Sequence, residues 1–278
     1  MLTNDIIKQI NDFIYSKPRT VQEISELLNL NWRTADAYVE RIAKEQGTIS
    51  VRTFRGGTRG ALKVVFWNNL EKPHSHLSQE QLFQRIAQGK QKSDFSPFDI
   101  YQYVDEQKRD AVIEPEDLLT DDFLNLLRSA QEQILFFSGN LSWTTVKKGK
   151  TSMLNVIEEL AKQKISIKIL TRIELPGIEN IMNVASINQR LAREAIEIRH
   201  AHHPLRGLIV DTKIARFKEI KNPADFKQGE LAKQMVISYS IHDEEWVEWI
   251  KKVFWHFFRP AIPYKKRIED LKSIQKLL

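Results

Sequence analysis

The densest run of residues able to act on a polyanion lies between Thr48 and Trp67, where Arg52, Arg55, Arg59 and Lys63 stand without one Asp or Glu among them. Guanidinium and ammonium groups neutralise phosphates and displace their condensed counterions. The glycines in Arg55-Gly56-Gly57-Thr58-Arg59-Gly60 let backbone approach a phosphate or a minor groove closely. A formal net charge of +6 over 278 residues suits the same partner, although many basic proteins bind no nucleic acid. There are no cysteines, which excludes disulfides, thiolate zinc sites, iron–sulfur clusters and a cysteine nucleophile. Any reaction must then use His, Asp, Glu, Ser, Lys or Arg. His74 and His76 stand two apart with no third ligand nearby and read as solvated residues, so neither a metal nor a cofactor is expected.

Those cations need a scaffold, and the preceding residues supply one. Ile6, Ile7, Ile10, Phe13 and Ile14 fall at helical spacing in residues 4–15. After Ser16-Lys17-Pro18-Arg19, Thr20 and Glu23 have the spacing of a capping box, opening a second helix to about Leu28 that turns Val21, Ile24, Leu27 and Leu28 inward. Asn29-Leu30-Asn31 makes a tight turn, and Asn31 caps a third helix from Trp32 to about Gln46 that buries Ala35, Val39, Ile42 and Ala43. The β-prone runs 48–54 and 61–67 then form a hairpin. Three helices and a basic hairpin, with ISELLNLNWRTADAYVERI at their centre, resemble the winged helix-turn-helix of transcription regulators. That resemblance places Trp32, Arg33, Thr34, Tyr38 and Arg41 of the third helix and Arg52, Arg55, Arg59 and Lys63 of the hairpin at duplex DNA, the helix reading base edges in the major groove. Two other readings stay open at this point: a solvated helix face on which Asp36 and Glu40 are ordinary surface charges, and a winged helix that contacts protein.

The chain is long enough for two domains. With 42% hydrophobic and 28% charged residues it reads as a soluble protein, and no apolar run approaches the roughly 20 residues of a membrane span. The start, with Asn4 and Asp5, is unlike a signal peptide, so a cytoplasmic, chromosome-associated location is expected. The expected division is 1–70 for DNA, a linker over 71–116 with a short helix at 78–87, and a larger domain over 117–278. Phe95, Phe98, Tyr101 and Tyr103 of the linker form an arm against that domain. From 120 onward, helices at 120–131, 153–162, 181–194 and 243–258 alternate with strands at 133–138, 165–170, 195–199, 208–210, 214–217 and 235–241. This order predicts a mixed sheet with helices on its faces, an α+β chain overall. The last helix is apolar all round, which calls for burial in the core or against a second subunit.

The element order, with ILFFSGNLSW, ISIKILTR and HHPLRGLIVDTKIARF, resembles the phospholipase D-like fold. Joined to a winged helix, the whole resembles archaeal TrmB-like transcription regulators. The resemblance implies a DNA-binding homodimer and, as some members bind sugars, a small-molecule effector to which no residues are assigned; a membrane partner is not implied. Phospholipase D-type catalysis needs His-x-Lys and, four residues later, Asp. Here Pro204 stands two after His202, Leu205 two after His203, and Asp211 eight after His203, with no Lys between His200 and Asp211. His203, Arg206 and Asp211 are therefore expected to form a degenerate site, Arg206 able to hold an anion, in a chain that is not an enzyme. The alternatives are a phospholipase D-like nuclease using His203 and an architectural DNA-coating protein with little sequence preference.

Overall fold

Each of the first three helices begins on a side-chain cap that its own sequence supplies. In this computed structural model, which describes residues 2–55, 61–68, 75–114, 119–226 and 230–275, the Thr3 hydroxyl accepts from the Ile6 amide to open α1 (Asn4–Ser16). Beyond β1 (Arg19–Thr20), the Thr20 hydroxyl accepts from the Glu23 amide at 3.2 Å and the Glu23 carboxylate from the Thr20 amide at 2.7 Å, completing the capping box of α2 (Val21–Leu27). Asn29 takes φ 52°, a left-handed conformation that Asn tolerates, and Asn31 caps α3 (Trp32–Glu45) by accepting from the Thr34 amide at 2.9 Å. Ile10, Ile14, Val21, Ile24, Ala35, Val39 and Ile42 make one core with Ile49 and Val65 of the antiparallel strands β2 (Ile49–Phe54) and β3 (Leu62–Trp67). With β1 paired to β3, the order β1-β3-β2 completes a winged helix-turn-helix.

The segment expected to be a linker does more than connect. It holds α4 (Ser75–Gln88), α5 (Phe98–Tyr101) and β4 (Arg109–Ile113), and β4 pairs with β12 as an edge strand of the large sheet. The expected linker is corrected accordingly: Arg109–Ile113 belongs to the sheet, because an alternating five-residue run is secured by a partner strand more than a hundred residues away. Beyond it come α6 (Asp121–Arg128), β5 (Gln133–Phe137), the small hairpin β6 (Lys147–Lys148) and β7 (Thr151–Ser152), α7 (Met153–Lys162), β8 (Ser166–Thr171), α8 (Ile178–Arg190) and β9 (Ile196–His200). The chain continues with β10 (Gly207–Val210), β11 (Ile214–Lys221), β12 (Met235–Ile241), α9 (Glu244–Phe258), β13 (Ile262–Pro263) and α10 (Tyr264–Gln275).

The eight-stranded sheet runs β13-β9-β8-β5-β10-β11-β12-β4. β5, β8 and β9 are parallel, while β10 is antiparallel to both β5 and β11. The period-two alternation of strands divides the core. Ile134, Phe136, Leu208 and Val210 face α6, α7, α8 and α10, whereas Leu135, Phe137, Ile209 and Phe217 face α4 and α9. α9 buries Trp246, Val247, Ile250, Val253, Phe254 and Phe258, so its apolar circumference is explained by the core of its own chain. A third cluster joins the two parts: Phe54, Leu62 and Phe66 of the hairpin pack with Phe98, Tyr101, Ile237 and Tyr239. Arg109 lies over the rings of Phe66 and Tyr101, at 5.4 and 4.6 Å from their centroids. Among the described residues no helix is long and apolar enough to cross a membrane.

Candidate nucleic-acid interface

The outer face of α3 is held out by its buried one. Ala35, Val39 and Ile42 fix the rotation of the helix, leaving Trp32, 40% exposed, with Arg33 and Ala37 toward solvent at its start. Thr34 is half-buried and its hydroxyl is engaged with Asn31, so it stiffens the first turn as much as it offers a contact. Tyr38 is half-buried against the helical core. Arg41 is exposed and paired with Glu45 one turn on, at 2.9 Å. Arg33 has no acidic partner among the described residues.

The hairpin cations differ from expectation. Lys63 is not free: its ammonium lies 2.5 Å from Asp36 and 2.6 Å from Glu40, with only 14% of its side chain exposed. Burial alone would lower its pKa, but the bonds to both carboxylates hold it above its ordinary value. Asp36 and Glu40 are thus not idle surface charges. They stand one helical turn apart on α3 and reach the strand beside them, a clamp visible in their i,i+4 spacing but whose cation no local reading supplies. Arg52 is also engaged, donating to the Ala111 carbonyl at 2.8 Å and lying 3.5 Å from Asp110, both on β4. The hairpin is therefore corrected from four uncompensated cations: two are spent on tertiary contacts. Arg55 is exposed with no acidic partner among the described residues, and Arg59 lies outside the described residues.

His203 and Arg206 are neighbours, Arg206 Nη1 donating to the His203 carbonyl at 3.4 Å, but Asp211 does not join them, which corrects the expected three-residue site. His203 is 2% exposed, packs edge-on to Phe137, and has Nε2 3.3 Å from the Leu170 carbonyl, while Nδ1 has no partner. Burial pushes its pKa down to about 3, so it is neutral near pH 7. Asp211 occupies the turn after β10 at φ 51° and accepts from the amides of Gln131, Glu132 and Gln133 at 2.9–3.0 Å. Burial would raise its pKa, yet those three amides hold it low. Its role is to tie the β10–β11 turn to the start of β5, at the opposite end of β10 from Arg206. Arg206 donates to the Leu205 carbonyl at 2.7 Å and lies over Gly139, where an added Cβ would sit 2.8 Å from its Nε. Burial and the nearby Arg172 lower its pKa to about 10, leaving it charged at neutral pH. Arg206 lines a cavity of about 1100 Å³ that His203 does not line. No group of three His, Asp or Glu side chains gathers to hold a metal among the described residues; His76 is exposed and His74 lies outside them.

No protein-family model and no curated protein matches this sequence. Among solved structures, similarity extends to TrmBL2, described as an archaeal chromatin protein with a novel mode of DNA binding, at 15% identity over 94% of both chains and a TM-score of 0.42. It extends also to Nuc from Salmonella typhimurium, a phospholipase D family member, at 14% identity over 56% of this chain and 97% of that one, with a TM-score of 0.41. NucT from Helicobacter pylori is similar at 12% identity over 56% of this chain and 99% of that one, with a TM-score of 0.39. With a phospholipase D family member among the similar structures, the expectation of a chain that is not an enzyme does not stand.

Proposed function

We propose that this chain is a transcription regulator that binds duplex DNA through α3 and the β2–β3 hairpin. In this reading residues 1–70 are the DNA-binding unit, and the larger unit, with α4 and β4 as part of it, pairs with its copy to set the spacing of two recognition helices on chromosomal DNA in the cytoplasm. The observation that carries the reading is the outer face of α3. A side-chain-capped helix presents Trp32, Arg33 and Ala37 to solvent, and Arg33 and Arg55 keep free charge among the described residues while Arg41, Arg52 and Lys63 are paired. A free arginine at a helix start fits a guanine edge or a phosphate, and Trp32 and Ala37 offer apolar contact to thymine methyls.

The test is selection of bound sequences from random DNA at physiological salt, followed by anisotropy titrations of the full chain on the selected duplex. Arg33→Ala is expected to weaken binding by about 1–3 kcal/mol and to relax preference at one base position. Arg55→Ala is expected to weaken all sequences alike and to reduce the salt dependence by about one phosphate contact. Unchanged affinity in the double variant removes the reading. A specific site no tighter than random DNA replaces the regulator with a DNA-coating role, and a monomer throughout sedimentation removes the paired arrangement.

A further inference from the structure

Both faces of the β2–β3 hairpin are covered. Alternation puts Ile49 and Val65 on one face, inside the core of the three helices, and Phe54, Leu62 and Phe66 on the other, against α5, β4 and β12. The two strands are thus a middle layer between the helices and the large sheet. Lys63 fastens α3 to this layer: it stands between Leu62 and Val64, points the other way, and reaches Asp36 and Glu40. On the sheet side the buried Tyr239 has its ring 6.4 Å from Phe54 and 5.4 Å from Tyr101, and its hydroxyl donates to Glu219 of β11 at 2.9 Å.

Apolar burial holds surfaces together without fixing an angle, because it is non-directional. The directional contacts of this layer come from two arginines. Arg109 of β4 has its guanidinium against Phe66 of the hairpin and Tyr101 of α5, 5.4 and 4.6 Å from their centroids, and donates to the Tyr101 carbonyl at 2.6 Å. No acid is bonded to it among the described residues, its Nε is buried without a partner, and burial, with the neighbouring Arg52 acting the same way, pushes its pKa below the ordinary value. Two ring faces and one carbonyl are what hold this charge. Arg52 crosses in the opposite direction, from β2 to the Ala111 carbonyl at 2.8 Å, while the Ala111 amide is taken by the Asp110 carboxylate. A guanidinium over a ring and a hydrogen bond to a carbonyl both depend on distance and direction, so together they resist a turn of the helix unit against the sheet.

We propose that Tyr101 and Arg109 are positioning residues: they fix the direction of α3 relative to the eight-stranded sheet, and in a paired chain they fix the spacing of half-sites that a duplex must offer. The second part rests on the DNA-binding reading above, whereas the first does not. Both residues act through the hairpin and lie on neither α3 nor the hairpin itself. A helix unit on a loose connection would turn to meet half-sites at a range of spacings; a clamped one meets only the spacing its partner's geometry allows.

The first test needs no DNA. In calorimetric melts the full chain is expected to unfold in one transition that takes the helix unit and the sheet together, and Tyr101→Ala combined with Arg109→Gln is expected to split it in two. Two separated transitions in the parent, or one in the double variant, overturn the joint. Arg109→Gln alone serves if the double variant does not fold: hydrogen exchange of the β2–β3 amides is expected to quicken at least about tenfold while that of β8 stays unchanged, and unchanged exchange in the hairpin overturns the joint equally. The second test compares the selected duplex with the same duplex lengthened by about two base pairs between its half-sites. The parent is expected to lose at least about tenfold in affinity on lengthening and the double variant less than about threefold, with both binding a single half-site alike. Ile268→Ala, which trims a buried side chain on the opposite face of the sheet, is expected to lower the Tm yet keep the parent's penalty, a result that loss of stability alone in the double variant would not give. A double variant that keeps the parent's penalty overturns the role in spacing. A chain that binds no DNA removes the DNA-binding reading instead, and the melts still decide whether the joint holds.

Discussion

The hairpin and the β10–β11 strand pair show reversed behaviour. In the hairpin, cations with no acid near them in sequence are compensated by acids from elsewhere: Lys63 by Asp36 and Glu40 of α3, Arg52 by Asp110 of β4. In the strand pair, Arg206 and Lys218 are twelve residues apart in a stretch that also contains Asp211, yet β10 and β11 bring the two cations together while Asp211 is taken up by three amides at the far end of the strand. Charge compensation belongs to the fold, and the count of charges along a segment says little about which remain free to meet a ligand.

The largest effect is expected where the strand pair is broken without touching the helix and hairpin. An added Cβ at Gly207 would lie 2.8 Å from the Phe217 ring and against the carbonyl oxygen of Arg216, so β10 must pull away from β11. Gly207→Ala is expected to cost about 3 kcal/mol or more in urea unfolding; a loss under about 1 kcal/mol would mean that the strands yield easily and that the juxtaposition of Arg206 and Lys218 is soft.

Acid sharpens the comparison next. His203 is pushed down to about 3 and His200 to about 4, in both cases chiefly by burial. The unfolded chain binds these protons first, so unfolding takes up protons and stability falls as pH drops below about 6.5 toward those values. Between pH 7 and 4.5 the loss from His203 is expected to be roughly 2 kcal/mol, and His203→Leu should flatten the profile. A parent protein equally stable at both pH values contradicts the burial of that ring in the neutral form.

The smallest effects separate buried from exposed pairing in the helix unit. Lys63→Ala leaves Asp36 and Glu40 facing each other and is expected to cost about 1 kcal/mol. Arg41→Ala, which removes the exposed i,i+4 pair with Glu45, should change stability by less than about 0.5 kcal/mol. Equal costs in thermal melts would show that Lys63 is no better held than a surface lysine.

Much of the helix unit was legible because its signals are local. Thr20 and Glu23, or Asn31 and Thr34, are three residues apart, and a helix brings such residues together whatever lies beyond them. The apolar run at 133–138 likewise announced a strand, though which of its side chains share a face came only with the sheet. The edge strands β4 and β13 were not legible, because short runs of ordinary residues become strands only when β12 and β9 present their free edges. Nor was the fate of His203, whose sequence neighbours His202 and Pro204 do not signal burial but whose spatial neighbours are Phe137 and the Leu170 carbonyl.

The sequence by itself determined the three capped helices, the basic hairpin, the alternation of helices and strands and the absence of thiol chemistry, each through contacts within one or two turns or through composition. Only the tertiary structure decided which cations are free, because electrostatic partners meet across distances in sequence that no local period encodes, and burial assigns each its cost.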